Sequence, residues 1–309
     1  MLRFPRIRPT GLVYDDRMAL HKHEWSSNEQ ENPTRIQHAF RRCQEEGLVI
    51  RCFMVPPRRI PEETLSLVHS RKYINQVKQT KHFSCQQLYE FSGQFDGVFF
   101  NQNTWDSACL AAGSLKHLAN LVVQGRLSNG IALLRPPGHH AMHSEACGYC
   151  VFNNVAVVAA SFLESPPVSF SRTENASLSN TPLSSLKDTS AQQASSSTST
   201  IDGECHSGNN VKPALDRILI IDWDVHHGQG TQYTFYNDPR VLFISIHRYE
   251  HAKFWPNLRE ANFDFIGQGQ GLGYNVNIPL EEVGYQMFAF TPRYLSDLCP
   301  TKGSTYLAI

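Results

Sequence analysis

Apolar and polar positions along this chain fall into two periods. From Thr104 to Val123, the residues Ala108, Leu110, Ala111, Ala112, Leu115, Leu118 and Val122 recur at helical spacing, and Gly125 stops the run. This predicts a long helix with a broad apolar face. A second helix is predicted from about Thr34 to Glu46, where Ile36, Ala39, Phe40 and Cys43 share a face and Gly47 ends it. Pro61-Glu62-Glu63 opens another, which carries Leu65, Leu67 and Val68, and the small residues from Asn154 to Leu163 predict one that packs closely. Gly11 to Tyr14 read as a first strand. Gly130 to Leu134 and Ile218 to Ile221 are continuous apolar runs, which suit strands buried on both faces of a parallel sheet. Strands alternating with helices imply a three-layer α/β domain around that sheet.

Between these elements the pattern changes character twice. Lys22 to Pro33 is polar and loop-like, with Trp25 its only large apolar group. From about Ser165 to Lys212, Ser, Thr, Asn, Gln and Pro dominate. Such a segment buries too little surface to offset its ordering entropy, so 165–212 is expected to be a disordered insertion before the strand at Ile218. The apolar content of 41% is enough for a real core. Lys plus Arg and Asp plus Glu are 28 each, which leaves no global field to attract nucleic acid or an anionic membrane. No apolar run approaches the roughly 18 residues of a membrane span. The amino terminus carries Arg3, Arg6 and Arg8 without the apolar core of a secretory signal. The eight cysteines lack framework spacing, and the pair Cys147 and Cys150 has no second pair beside it. Reduced thiols of an intracellular protein are therefore expected.

Chemistry concentrates where the strand at Ile218 ends. The run Asp222-Trp223-Asp224-Val225-His226-His227-Gly228-Gln229 follows it at once. Side chains of an extended strand repeat every two residues, so Asp222, Asp224 and His226 are expected on one side. Two carboxylates and an imidazole at the carboxyl end of a strand, where open α/β sheets place ligands, suit a cation. The second stretch is Arg135-Pro136-Pro137-Gly138-His139-His140, a stiff turn that leaves two histidines at the sheet's edge. A His pair matched to an acidic cluster is an acid-base signal. One histidine can hold a proton while the other accepts one, provided different partners separate their pKa values. Asp222 is a natural carboxylate partner for one, and Gln229 a neutral orienter for the other.

These two stretches, with Gly148-Tyr149-Cys150-Val151-Phe152-Asn153-Asn154, Ser245-Ile246-His247-Arg248-Tyr249-Glu250 and Phe254-Trp255-Pro256, resemble the zinc-dependent histone deacetylases. The resemblance is closest to class II and its mainly cytoplasmic class IIb branch, and runs from Gly11 to about Gly284. It implies the arginase/deacetylase fold, a parallel sheet between helical layers, and hydrolysis of the acetamide of acetyl-lysine at one zinc ion. By this similarity Asp224 and His226 are zinc ligands and His140 is the general base. His139, supported by Asp222, is the electrostatic partner and proton donor. Gly148 and Tyr149 form one wall of a slot for the methylene stem, Trp255 forms the other, and Asn103 holds the rim position that greets the substrate backbone. A structural potassium ion would take the side chains of Asp222 and Ser245 and the carbonyls of Asp224, His226 and Ile246. Position 228 is glycine where arginase-like relatives carry a further Asp, which favours a single metal. The implied partners are acetylated proteins, such as histone tails or tubulin-like substrates; acetylpolyamines are an alternative, because class IIb includes one such specialist.

After Val283-Gly284 the family pattern continues with a second zinc Asp and a Gly-Gly-Tyr tyrosine, and Tyr285 to Ile309 carries neither. The expectation is an incomplete catalytic domain at 11–284 and a divergent tail at 285–309. A catalytic zinc takes three protein ligands, of which two are nameable. Weak turnover, or a non-catalytic form that binds acetylated peptides, follows from that count. Asp264, Glu281, Glu282 or Asp297 could supply a makeshift third ligand, although none follows a buried strand.

Overall fold

The computed structural model describes residues 8–163 and 215–281, together with the backbone of 305–308. The insertion expected at 165–212 and most of the tail expected at 285–309 lie outside these residues. The described strands form two sheets. Strands β1 (Thr10–Val13), β2 (Phe53–Met54) and β3 (Asn129–Ala132) lie in the order β2-β1-β3. Strands β4 (Ile218–Asp222), β5 (Val241–Arg248), β6 (Asn275–Leu280) and β7 (Thr305–Ala308) lie in the order β6-β5-β4-β7. Every pairing is parallel, the geometry that needs crossover connections and places helices on the sheet faces.

The helices are α1 (Thr34–Glu45), α2 (Glu62–Leu65), α3 (Arg71–Gln79), α4 (Cys85–Ser92), α5 (Thr104–Val123), α6 (Asn154–Phe162) and α7 (Gln229–Phe235). Helix α5 has the limits its apolar spacing predicts. It packs against β1, β3 and α6, while α7 packs against β5. The α5–α6 contact is close because Ala108, Ala112, Ala156, Ala159 and Ala160 are all buried in one cluster with Ile220 of β4 and Phe243 of β5. The architecture is therefore the α/β arrangement expected, with parallel strands covered by helices. No helix among the described residues is long and apolar enough to cross a membrane.

Two expectations need correction. The run Gly130 to Leu134 does not make a strand buried on both faces: among the described residues β3 pairs with β1 alone, and Ile131 stays exposed. The helix expected beyond Pro61 is a single turn that ends at Leu65, and Ser66 already bonds back to it. Helices α3, α4 and α7 were not anticipated. Ser70 caps α3 by accepting the Tyr73 N–H, and Ser84 with Gln87 forms a reciprocal capping box on α4.

Candidate active site

Strand β4 delivers Asp222 to its carboxyl end, fully buried and in register with Ser245 of β5. Beyond Asp222 the chain does not stay extended. The Asp224 N–H donates to Asp222 Oδ1 at 3.1 Å, and the His226 N–H donates to Asp224 Oδ1 at 2.8 Å. These are successive Asx-type turns, in which a short carboxylate competes for the backbone two residues on. The strand alternation expected for Asp222, Asp224 and His226 is thus replaced by turns. Those turns still bring His226 Nδ1 to 3.1 Å from Asp224 Oδ1.

The second half of the site is the turn after β3. Gly138 is obligatory there, since a Cβ would lie 2.6 Å from the Asn154 nitrogen and 2.8 Å from the Phe152 carbonyl. Asn154 Nδ2 donates to the Pro136 carbonyl at 3.1 Å, and the Thr231 N–H donates to the His139 carbonyl at 3.2 Å. Asn153 Nδ2 reaches the Ala141 carbonyl at 3.4 Å. So fixed, the two imidazoles stand 3.8 Å apart between ring centroids and take different partners. His139 Nδ1 donates to Asp222 Oδ2 at 2.8 Å, and His140 Nδ1 to Gln229 Oε1 at 2.7 Å. Gln229 in turn donates from Nε2 to Cys147 Sγ at 3.4 Å.

The partners decide the charges. Burial pushes His139 down, but the Asp222 carboxylate and then Asp224 outweigh it, and the net shift is upward. Burial and the neighbouring His139 charge hold His140 well below its ordinary value. The pair therefore holds one proton-rich and one neutral imidazole, the separation that acid-base work requires. Burial opposes ionisation of Asp224, yet the bond from His226 and the charge of His139 hold its carboxyl below the usual range.

The walls are aromatic. A Cβ on Gly148 would stand 2.4 Å from Trp255 Cη2 and 2.7 Å from His140 Cδ2, so the glycine is wedged between them. Gly148 and Tyr149 both have positive φ, at 51° and 65°. Their N–H groups donate to the Asp96 and Gly97 carbonyls at 2.9 and 2.8 Å. Trp255 stands edge-on to His140 at 4.6 Å and to His226 at 5.4 Å, and its Nε1 donates to Asp96 Oδ2 at 3.0 Å. Phe254 stacks on His226 at 5.2 Å. Asn103 stands exposed at the start of α5, lining a groove of about 220 Å³ with Arg17, Arg59 and Asp106 that none of these imidazoles or aromatics lines. Sequence reasoning missed Asp96, which holds both walls, and Asn153, which holds the His139-His140 turn.

The donors fit a metal ion. Among the described residues, His139, His140 and Asp224 form the group whose ligand atoms all lie within 4.8 Å of one another. His139 and His140 already spend their Nδ1 atoms on Asp222 and Gln229, so they suit proton traffic better than ligation. Two donors about 2.0–2.1 Å from one zinc in tetrahedral geometry lie roughly 3.3 Å apart. The Asp224–His226 spacing of 3.1 Å matches that. Of the makeshift ligands, Asp264 is paired with Arg259 and Glu281 accepts from the His251 N–H at 2.8 Å; Glu282 and Asp297 lie outside the described residues. A Cβ at Gly228 would stand 2.3 Å from Asp222 Oδ2, which leaves no room for a further ligand side chain there.

Comparison with known proteins places this geometry. Residues 29–169 and 208–295 match the family described as Histone deacetylase domain. "Polyamine deacetylase HDAC10" of Homo sapiens is 39% identical over 293 residues, covering 94% of this chain and 37% of that protein. "Histone deacetylase 18" of Arabidopsis thaliana is 36% identical over 281 residues, covering 90% of this chain and 34% of that protein. The crystal structure of the HDA15 HD domain superposes with a TM-score of 0.66 at 28% identity, covering 90% of this chain and 64% of that one. The chain thus spans little more than a third of the length of these full-length relatives.

Proposed function

The chain belongs to the histone deacetylase family, and from that membership we propose that residues 11–284 form a catalytic domain that hydrolyses acetyl-lysine amides of proteins. The split between the two buried imidazoles carries this reading. Asp224 and His226 would hold the zinc ion that the family implies. When bound, that ion supplies a lowered water pKa and a polarised carbonyl. His140 is neutral, with Nδ1–H committed to Gln229, so Nε2 offers a lone pair to take a proton from water. His139 is held protonated by Asp222, so its Nε2–H can be given to the departing lysine amine. Trp255, Gly148 and Tyr149 exclude water and guide the methylene stem of the substrate. The register of Asp222 with Ser245 supports a structural potassium ion between these side chains and the carbonyls of Asp224, His226 and Ile246. Cytoplasm or nucleus is the proposed location, resting on the resemblance to class II deacetylases and on cysteines without disulfide framework spacing.

The test is turnover of an acetyl-lysine peptide by the purified chain with added zinc, beside an Asp224→Ala control. With two zinc ligands named among the described residues, the expected result is weak hydrolysis to free amine and acetate that the control abolishes. Equal rates in both would refute the assignment. The name of the human relative, a polyamine deacetylase, favours one further reading, hydrolysis of acetylated polyamines. A kcat/KM for acetylspermidine well above that for the peptide would select it.

A further inference from the structure

Arg135 is 1% exposed, and so is Glu31 opposite it. A guanidinium owns five N–H donors in a fixed fork, and Arg135 uses all of them. Nε donates to Glu31 Oε1 at 2.7 Å, and Nη2 donates to Glu31 Oε2 at 2.8 Å and to the Glu31 carbonyl at 3.4 Å. Nη1 donates to the Met18 carbonyl at 3.2 Å and to the His21 carbonyl. These acceptors sit at the two ends of one excursion of the chain, 18–31, so a single side chain closes that loop.

The body of the loop packs on the segment whose Gly97 carbonyl accepts the Tyr149 N–H at 2.8 Å. Asn101 Nδ2 donates to the Leu20 carbonyl at 2.8 Å and to Glu24 Oε1 at 3.3 Å, while Asn101 Oδ1 accepts the Asn103 N–H at 3.0 Å. His21 stacks on Phe99 at 4.5 Å, and Trp25 stands edge-on to Tyr89 at 5.5 Å. Burial and then the nearby Glu29 carboxylate hold the Tyr149 pKa up, next to the glycine wedged between Trp255 and His140. The segment that reads as a bland polar loop in the sequence is thus the backing of the Tyr149 wall.

We propose that Arg135, paired with Glu31, is a positioning residue that sets the shape of the pocket mouth through the 18–31 loop and so governs substrate binding, apart from the proton transfers. Its substrate arm rests on the function proposed above. The two effects separate because the His139-His140 turn has its own supports. Asn154 holds Pro136, and the Thr231 N–H holds the His139 carbonyl. Lysine cannot replace the fork, since an ammonium offers three donors from one point and no planar pair for a carboxylate.

The experiment compares Arg135→Lys and Glu31→Gln with the unaltered full chain by amide hydrogen exchange. Peptides over 18–31 are expected to exchange at least about tenfold faster in both variants, while 136–143 and 104–123 keep their rates. In turnover of an acetyl-lysine peptide, KM should rise about tenfold with kcat changed by less than about twofold. Unchanged exchange over 18–31 overturns the proposal, as does equal acceleration over 136–143, or a kcat loss at constant KM. If Arg135→Lys fails to fold, Glu31→Gln decides, because it keeps the shape while removing the charge and one of the two oxygens that accept from Arg135, with Arg35→Gln as the control for the ion pair Glu31 also makes. If the unaltered chain turns over no peptide, the exchange data still decide the role of Arg135, and the failure falls on the proposed activity.

Discussion

Acid should unfold this protein well before its carboxylates titrate, and His69 shows why. Its Nδ1–H donates to the Met142 carbonyl at 2.9 Å, and its Nε2 accepts the Asn153 backbone N–H at 2.9 Å. Protonation at Nε2 would set two donors face to face in a site from which water is excluded. Burial accordingly pushes His69 down to about 3, and pushes His227 down to about 3 as well, from an ordinary 6.5. A histidine with a lowered folded value binds its proton more readily when unfolded. Its contribution is therefore complete above 6.5 and is lost as pH falls from there towards 3. At about pH 5 each such group has lost roughly 2 kcal/mol, so the two together lose about 4 kcal/mol. His21 and His140, also lowered chiefly by burial, add in the same direction. Against a typical total of about 5–15 kcal/mol, this leaves little at pH 5. The assay is urea unfolding followed by tryptophan fluorescence at pH 7.5, 6 and 5, with His69→Gln as the comparison. The variant keeps one donor and one acceptor in the site and should show a shallower pH slope. A stability that is flat from pH 7 to 5, or a slope identical in the variant, would refute the reasoning.

Two further substitutions probe the site itself. Asp222→Asn should remove the charge that holds His139 protonated, so the His139 imidazole titrates at lower pH by NMR and peptide turnover drops about 10²–10⁴-fold; an unchanged titration would contradict the assigned pairing. Gly228→Ala places a methyl group 2.3 Å from Asp222 Oδ2 and 3.0 Å from His139 Nδ1. Overpacking there should cost about 1–3 kcal/mol in urea unfolding, and a neutral result would mean that Asp222 and His139 can separate freely.

The legible parts of this chain are those in which one physical period runs without interruption. Helix α5 could be read to the residue because its apolar spacing persists through its whole length, and β4 because Ile218 to Ile221 ends in Asp222. Strand β5 escaped because its inward face mixes Val241 and Phe243 with Ser245 and His247, all buried. Alternation is present, but half of it is polar. The capping box of Ser84 and Gln87 stands in the sequence as Ser-Cys-Gln-Gln. That Asp222 and Gln229 divide the two histidines between them was legible from complementary chemistry, and which histidine takes Asp222 from the family resemblance. Asp96 was not, because nothing in Gln94-Phe95-Asp96-Gly97 shows that Trp255 lies over it. Arg135 and Glu31 were invisible for the same reason: charged residues in loops read as solvated until the fold buries both.

Asn153 links these observations into one mechanical argument. Its backbone N–H is held by His69, its Oδ1 caps α6 by accepting the Ala156 N–H at 3.0 Å, and its Nδ2 reaches Thr231 Oγ1 at 3.1 Å as well as the Ala141 carbonyl. One buried amide therefore joins the start of α6, the His139-His140 turn and helix α7, which begins with Gln229. The neutral state of His69 is then a condition for the placement of both catalytic candidates, although His69 touches neither. Acid that protonates His69 would detach the Asn153 backbone, loosen the turn and widen the gap between His140 and Gln229 before the core of α5 is disturbed. Local opening over 136–143 should precede global unfolding as pH falls, because the polar joints of this site fail at a higher pH than the apolar packing behind them.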